Sequence, residues 1–139
     1  MRLSAEEARA RFAEARVATL ATVGGDGAPQ LVPITFAVEG ELIYTAVDHK
    51  PKASARLQRL GNITRDPRAA LLCQHYADEW DELWWARAEG RASIITDAGA
   101  TRHPLDVLTK RYAQYNERRP DGPVIVIRVE RWTGWSAAG

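Results

Sequence analysis

Turn-forming residues interrupt the first 47 positions so often that only short strands fit between them. Residues 17–23 (VATLATV) are rich in Thr and Val and end at Gly24-Gly25-Asp26-Gly27, a strong turn signal. A second strand is expected at 29–38, and Glu39-Gly40 then leads into a third at 41–47. Connections this short make an antiparallel meander, because a parallel crossover needs a dozen or more residues.

The remainder adds three strands and three helices. Ser4 followed by Glu7 forms a capping box ahead of a short helix over 5–15. Residues 52–60 (KASARLQRL) have Ala53, Leu57 and Leu60 on one helical face, with Gly61-Asn62 as the stop. Strands are expected at 68–77 and 83–95, joined by the acidic Asp78-Glu79-Trp80-Asp81-Glu82, and a last one at 123–132. His103-Pro104 opens a helix through about 116 with the stripe Leu105, Leu108, Tyr112 and Tyr115. Six strands in meander order with few crossover helices point to a mainly β chain, a six-stranded antiparallel barrel, closed or partly closed. With no repeat or linker, residues 1–139 read as a single domain.

Composition removes several classes of function. A net charge of +1 offers no global field for nucleic acid or membrane, and no apolar run reaches the ~20 residues of a membrane helix. One cysteine, Cys73, excludes an internal disulfide, and the N-terminus lacks a secretory h-region, so a cytoplasmic location is expected. Cys73 and His75 share a strand face, but His49 and His103 lie too far away for metal-ligand spacing, so no metal is expected. No nucleophile–base pair and no phosphate-loop motif stands out, and no catalytic side chain is nominated.

Three features remain. Residues 49–65 hold Lys50, Lys52, Arg56, Arg59 and Arg65 and no acid. Lys52, Arg56 and Arg59 share one helical face. Lysines at a helix N-terminus oppose the macrodipole, a conflict that an anion resolves; the alternative is a solvated basic face paired with acids elsewhere. Trp84 and Trp85 are neighbours on one strand and so point to opposite faces, one of them toward a partner subunit, a flat ligand or the 101–116 helix. Pro33 cannot donate in a ladder, so it marks an edge, a bulge or a gap through which backbone groups of Val32 and Ile34 face a ligand.

Taken in order, VATLATVGGDGAPQLVPITF at 17–36, KPKASARLQRL with NITRDPRAALL through 72, LWWARAEGRASI at 83–94 and PVIVIRVERWTGWSA at 123–137 are identifiable. The chain resembles the pyridoxine-phosphate-oxidase-like split β-barrel family, in particular its actinobacterial branch that uses the deazaflavin coenzyme F420. The resemblance implies a homodimeric split barrel with two cofactor sites at the interface. It implies that Lys52 and Lys50 hold the cofactor's phosphate or polyglutamyl tail, with Arg56 beside them. Gln30, Val32, Pro33 and Ile34 would line the ring, Asp48 and His49 would stand near it, and Trp84 and Trp85 would reach toward the partner's site. The implied activity is hydride transfer from reduced F420 to an unsaturated or quinone-like small molecule. An FMN-dependent enzyme of the same fold and a non-catalytic cofactor carrier are the alternatives. Nucleic-acid binding through residues 49–65 is the weakest reading, given the balanced charge.

Overall fold

The computed structural model describes residues 1–47, 53–120 and 122–138, with the side chains of 53–57 excepted. The capping box forms as expected: Ser4 Oγ accepts from Glu7 N, Ser4 N donates to the Glu7 carboxylate, and α1 runs Ala5–Glu14. β1 (Ala18–Val23) and β2 (Pro29–Ile34) pair across the glycine turn, and β3 (Ala37–Glu39) and β4 (Leu42–Ala46) pair across Gly40. Helix α2 spans Ala53–Arg65, followed by β5 (Arg68–His75), a 3-10 turn (Trp80–Glu82), β6 (Trp84–Ile95), α3 (Ala98–Arg111), α4 (Gln114–Glu117) and β7 (Val124–Ser136).

Among the described residues the strands number seven, not six, and form one antiparallel sheet in the order β2-β1-β5-β6-β7-β4-β3. The expected strand over 29–38 is two strands that lie at opposite ends of that order. Laid flat, seven strands would put those ends ~29 Å apart, whereas the link from Ile34 to Ala37 reaches at most ~11 Å. The sheet therefore has to curl until its two edges meet at Thr35-Phe36, giving an open, split-barrel arrangement with a seam between β2 and β3.

Side chains bond the two seam residues in place of a ladder. The Tyr112 hydroxyl accepts from Phe36 N (3.1 Å) and shares its proton between Phe36 O (2.8 Å) and Arg16 O (3.0 Å). Thr45 Oγ1 donates to Thr35 O at 2.8 Å, and the Thr35 hydroxyl lies 2.9 Å from the Tyr115 hydroxyl. Phe36 is fully buried, edge-on to Phe12 of α1 at 5.5 Å, and Phe12 meets Trp132 at 5.7 Å. Helix α1 thus closes one mouth of the barrel and α2, through buried Ile63, covers the other. Outside, α3 packs Leu105, Leu108 and Tyr112 on Ala37, Tyr44 and Val124.

Several boundaries differ: the last strand runs to Ser136 rather than 132, β5 ends at His75 rather than 77, and the helix expected through about 116 ends at Arg111, with α4 separate. Two further differences have physical reasons. Helix α2 continues through Gly61-Asn62 because Ile63 is buried and Asn62 is bonded in the next turn, which offsets the ~1 kcal/mol that a helical glycine costs. Helix α3 starts five residues before His103, at the Asp97 cap that accepts from Ala100 N, and Pro104 sits inside it, buried.

At Glu89/Gly90 the β6–β7 register shifts, and β7 backbone closes on Gly90 so tightly that a Cβ there would collide with the Arg128 carbonyl. Gly90→Ala is expected to lower unfolding free energy by at least about 3 kcal/mol in urea titration. Tyr112→Phe strips the partner from both backbone groups of Phe36 and should cost about 1–3 kcal/mol in the same assay.

Candidate functional site

The site begins at a hairpin whose turn fixes the hydrogen-bond phase of the strands it joins. Gly24 N donates to Ala28 O (2.8 Å), Gly27 N to Gly24 O (2.8 Å), and Gly27 takes φ +86°, which a side chain would disfavour. Gly24 and Ala28 are thus a bonded pair. Bonded and non-bonded pairs alternate along an antiparallel ladder. Thr22/Gln30, Leu20/Val32 and Ala18/Ile34 are bonded, while Pro29, Leu31 and Pro33 turn their backbone to the free edge of β2. The two prolines stand where no donor is needed. Among these three outward positions only Leu31 has an N–H to offer, flanked by carbonyls. The backbone groups of Val32 and Ile34, expected to face a ligand, instead pair with β1.

Between this edge and α2 lies an open cleft of ≈ 320 Å³ lined by Thr22, Gln30, Leu31, Val32, Gln58 and Arg59. That size is in the range of small-molecule sites. Among the described residues, none that lines it is acidic. Arg59 is half-buried, has no hydrogen-bond or ion-pair partner among the described residues, and burial pushes its guanidinium pKa down. A desolvated cation without a counter-charge is unfavourable, and an anion from solution satisfies it.

Behind the lining, Asn62 is buried and fully engaged. Its Nδ2 donates to Thr22 Oγ1 (3.1 Å) and to Gln30 Oε1, and its Oδ1 accepts from Arg65 Nη2 at 2.8 Å. The Arg65 guanidinium also lies over Gly25, leaving no room for a Cβ without displacement.

Of the residues expected at the site, Gln30 and Val32 line the cleft. Ile34 is in the core and Pro33 is on the outer face. Asp48, His49, Lys50 and Lys52 lie outside the described residues; Arg56 is in α2, its side chain likewise outside them. Trp84 and Trp85 do take opposite faces, but Trp84 packs beside α1 with Arg11 over its ring (5.1 Å), not under α3. Trp85 carries Arg87 over its ring at 5.2 Å. Within one chain the two tryptophans sit three to six strand residues, ~10–20 Å, from the level of the cleft's strand residues. Sequence reasoning missed Thr22, Leu31, Gln58, Asn62 and Arg65 as site residues. The helical spacing of Arg59, Asn62 and Arg65 at i, i+3, i+6 was a usable signal.

Other titratable groups serve the fold. Glu39 accepts from Tyr44 OH (2.7 Å) and meets His103 Nε2 (2.7 Å); its carboxyl pKa is lowered chiefly by the Tyr44 bond, and burial pushes the Tyr44 phenol up to about 12. This cluster fastens α3 to β3 and β4. Among the described residues no group of three or more metal-ligating side chains occurs, and no helix is long and apolar enough to cross a membrane.

A sequence profile of pyridoxamine 5'-phosphate oxidase matches residues 4–136. The chain belongs to the pyridoxamine 5'-phosphate oxidase family. Among solved structures similar to it is a conserved hypothetical protein of Mycobacterium tuberculosis, with 25% identity, TM-score 0.77, and 97% of this chain and 86% of that one covered. A FAD-binding protein of Mesorhizobium loti has 18% identity and TM-score 0.74 over 96% and 95% of the two chains. A heme binding protein of Mycobacterium smegmatis has 22% identity and TM-score 0.71 over 99% of this chain and 60% of that one. These likenesses establish the fold. No curated protein sequence matches.

Cys73 is buried, and burial pushes its thiol up to about 12, which disfavours the reactive thiolate. A disulfide reagent at about pH 8 is expected to leave Cys73 unmodified in the native protein and to label it on unfolding. Rapid native labelling would contradict that burial.

Proposed function

We propose that this chain is an oxidoreductase subunit that binds a phosphorylated flavin-type cofactor in the cleft between β2 and α2, with coenzyme F420 as the cofactor. The observation that carries the reading is Arg59, a half-buried guanidinium without a counter-charge among the described residues, facing a sheet edge that offers one backbone N–H. When bound, such a cofactor supplies hydride transfer, here to an unsaturated or quinone-like small molecule.

The chain's own part is binding and orientation. Arg59 neutralises a phosphate, while Leu31 N–H and the neighbouring edge carbonyls meet polar atoms of a flat ring. Leu31 and Val32, both of which line the cleft, shield the ring from water. The basic face that Arg59 closes continues in sequence to Arg56, Lys52 and Lys50, which suits an extended polyanionic tail and favours F420. FMN is the second reading, favoured by family membership and by the single cation that the described part of the cleft presents.

A second copy of the chain completes the proposal. Helix α3 covers one part of the sheet's outer surface. The part formed by β2, β1, β5 and β6 carries exposed Leu31 (70%), half-buried Leu72 and Trp85, with Trp135 (40%) alongside on β7. An isologous two-fold contact on this surface turns the Trp84-Trp85 end of one subunit toward the cleft end of the other.

Fluorescence titration with F420 and, separately, FMN tests the cofactor. Arg59→Ala should weaken binding of the preferred cofactor about ten- to a hundredfold, the range of a charge-assisted hydrogen bond. Lys52→Ala should weaken F420 more than FMN. Tighter binding of FMN would move the protein to the flavin reading, and binding of neither would remove the cofactor proposal.

A further inference from the structure

The orientation of the Gln30 amide follows from one residue that has no choice. A guanidinium only donates hydrogen bonds. Arg65 therefore fixes the Asn62 carboxamide with Oδ1 toward itself, at 2.8 Å. The Asn62 NH2 is then the group that faces Thr22 and Gln30, and it donates to both. Gln30 in turn must present Oε1 to Asn62, which leaves its NH2 group without a partner among the described residues. Gln30 lines the cleft, and its Nε2 sits by Gly24, 3.3 Å from where a Cβ would stand. The free group of this cleft-lining amide is thus a donor, and its polarity is set two residues back in the chain of bonds.

We propose that Arg65 and Asn62 are positioning residues that hold Gln30 as a hydrogen-bond donor, so that the cleft selects a ligand edge bearing acceptors, such as ring carbonyl oxygens, over one bearing N–H groups. The selection rests on the cofactor reading above; the amide polarity does not. Thr22 contributes by taking the second Asn62 proton, and a buried carboxamide with all its near groups satisfied is costly to turn.

Asn62→Asp keeps a partner for Arg65 but cannot donate to Gln30, so the Gln30 amide turns and offers its oxygen to the cleft. Affinity for whichever of FMN or F420 the wild type binds should fall about tenfold, the loss of one buried hydrogen bond. In a Gln30→Ala background the same substitution should cost clearly less, because the part of its effect that runs through the Gln30 amide is gone. An equal loss in both backgrounds, or none in the wild-type background, overturns the proposal. Side-chain amide hydrogen exchange on the wild type reads the polarity without ligand: the Asn62 NH2 protons should be protected and those of Gln30 should exchange freely. Protected Gln30 protons would overturn it, including in the case where neither cofactor binds and the function proposed above fails.

Discussion

Two residues carry the chain from one edge of its sheet to the other, and that short reach dictates most of the architecture. Thr35 and Phe36 cannot span a flat sheet, so the sheet curls, its interior becomes the core, and a seam is left between β2 and β3. Backbone groups at the seam lack strand partners and would be costly to bury unpaired. Tyr112, Tyr115 and Thr45 supply the missing bonds, and the first two of these come from the α3–α4 region, far along the chain. The α3–α4 region therefore serves two purposes, covering one outer surface through α3 and holding the barrel shut through Tyr112 and Tyr115.

The cleft is a by-product of the same geometry. An edge strand exists because the barrel does not close by pairing, and α2 packs near that edge rather than across it. Burial of Ile63 and the bonds of Asn62 set where α2 lies, and this brings Arg59 to the free edge of β2. Packing, polarity and the candidate anion site are in this way properties of one helix, α2, whose last turns carry all three.

Much of this was legible in the sequence, with instructive gaps. The glycine hairpin, the capping box and the opposite facing of Trp84 and Trp85 are local matters, decided by turn chemistry and strand periodicity. The split of 29–38 was not, because the break at Thr35-Phe36 is enforced by hydroxyls more than sixty residues away. Helix α2 ran past Gly61-Asn62 for the same reason: tertiary bonds outweighed a local stop signal. The start of α3 at Asp97 was locally encoded, yet Pro104 read more loudly than the cap. At the cleft, Gln30, expected from the family resemblance, and Val32, expected from Pro33 as well, are lining residues, whereas Asn62 and Arg65 carry no chemistry on their own. Their importance lies in which way they turn a neighbour, and spacing alone does not reveal that.

A sheet edge left bare for a ligand is also a template on which another chain could polymerise, strand on strand. Pro29 and Pro33 answer that hazard without closing the cleft. Set at the two outward positions on either side of Leu31, they remove the donors that an incoming strand would need in succession. A small planar ligand asks for only one N–H, while a growing β-ribbon asks for every second residue. The same pair of prolines thus separates the partner that β2 admits from the aggregate it must refuse.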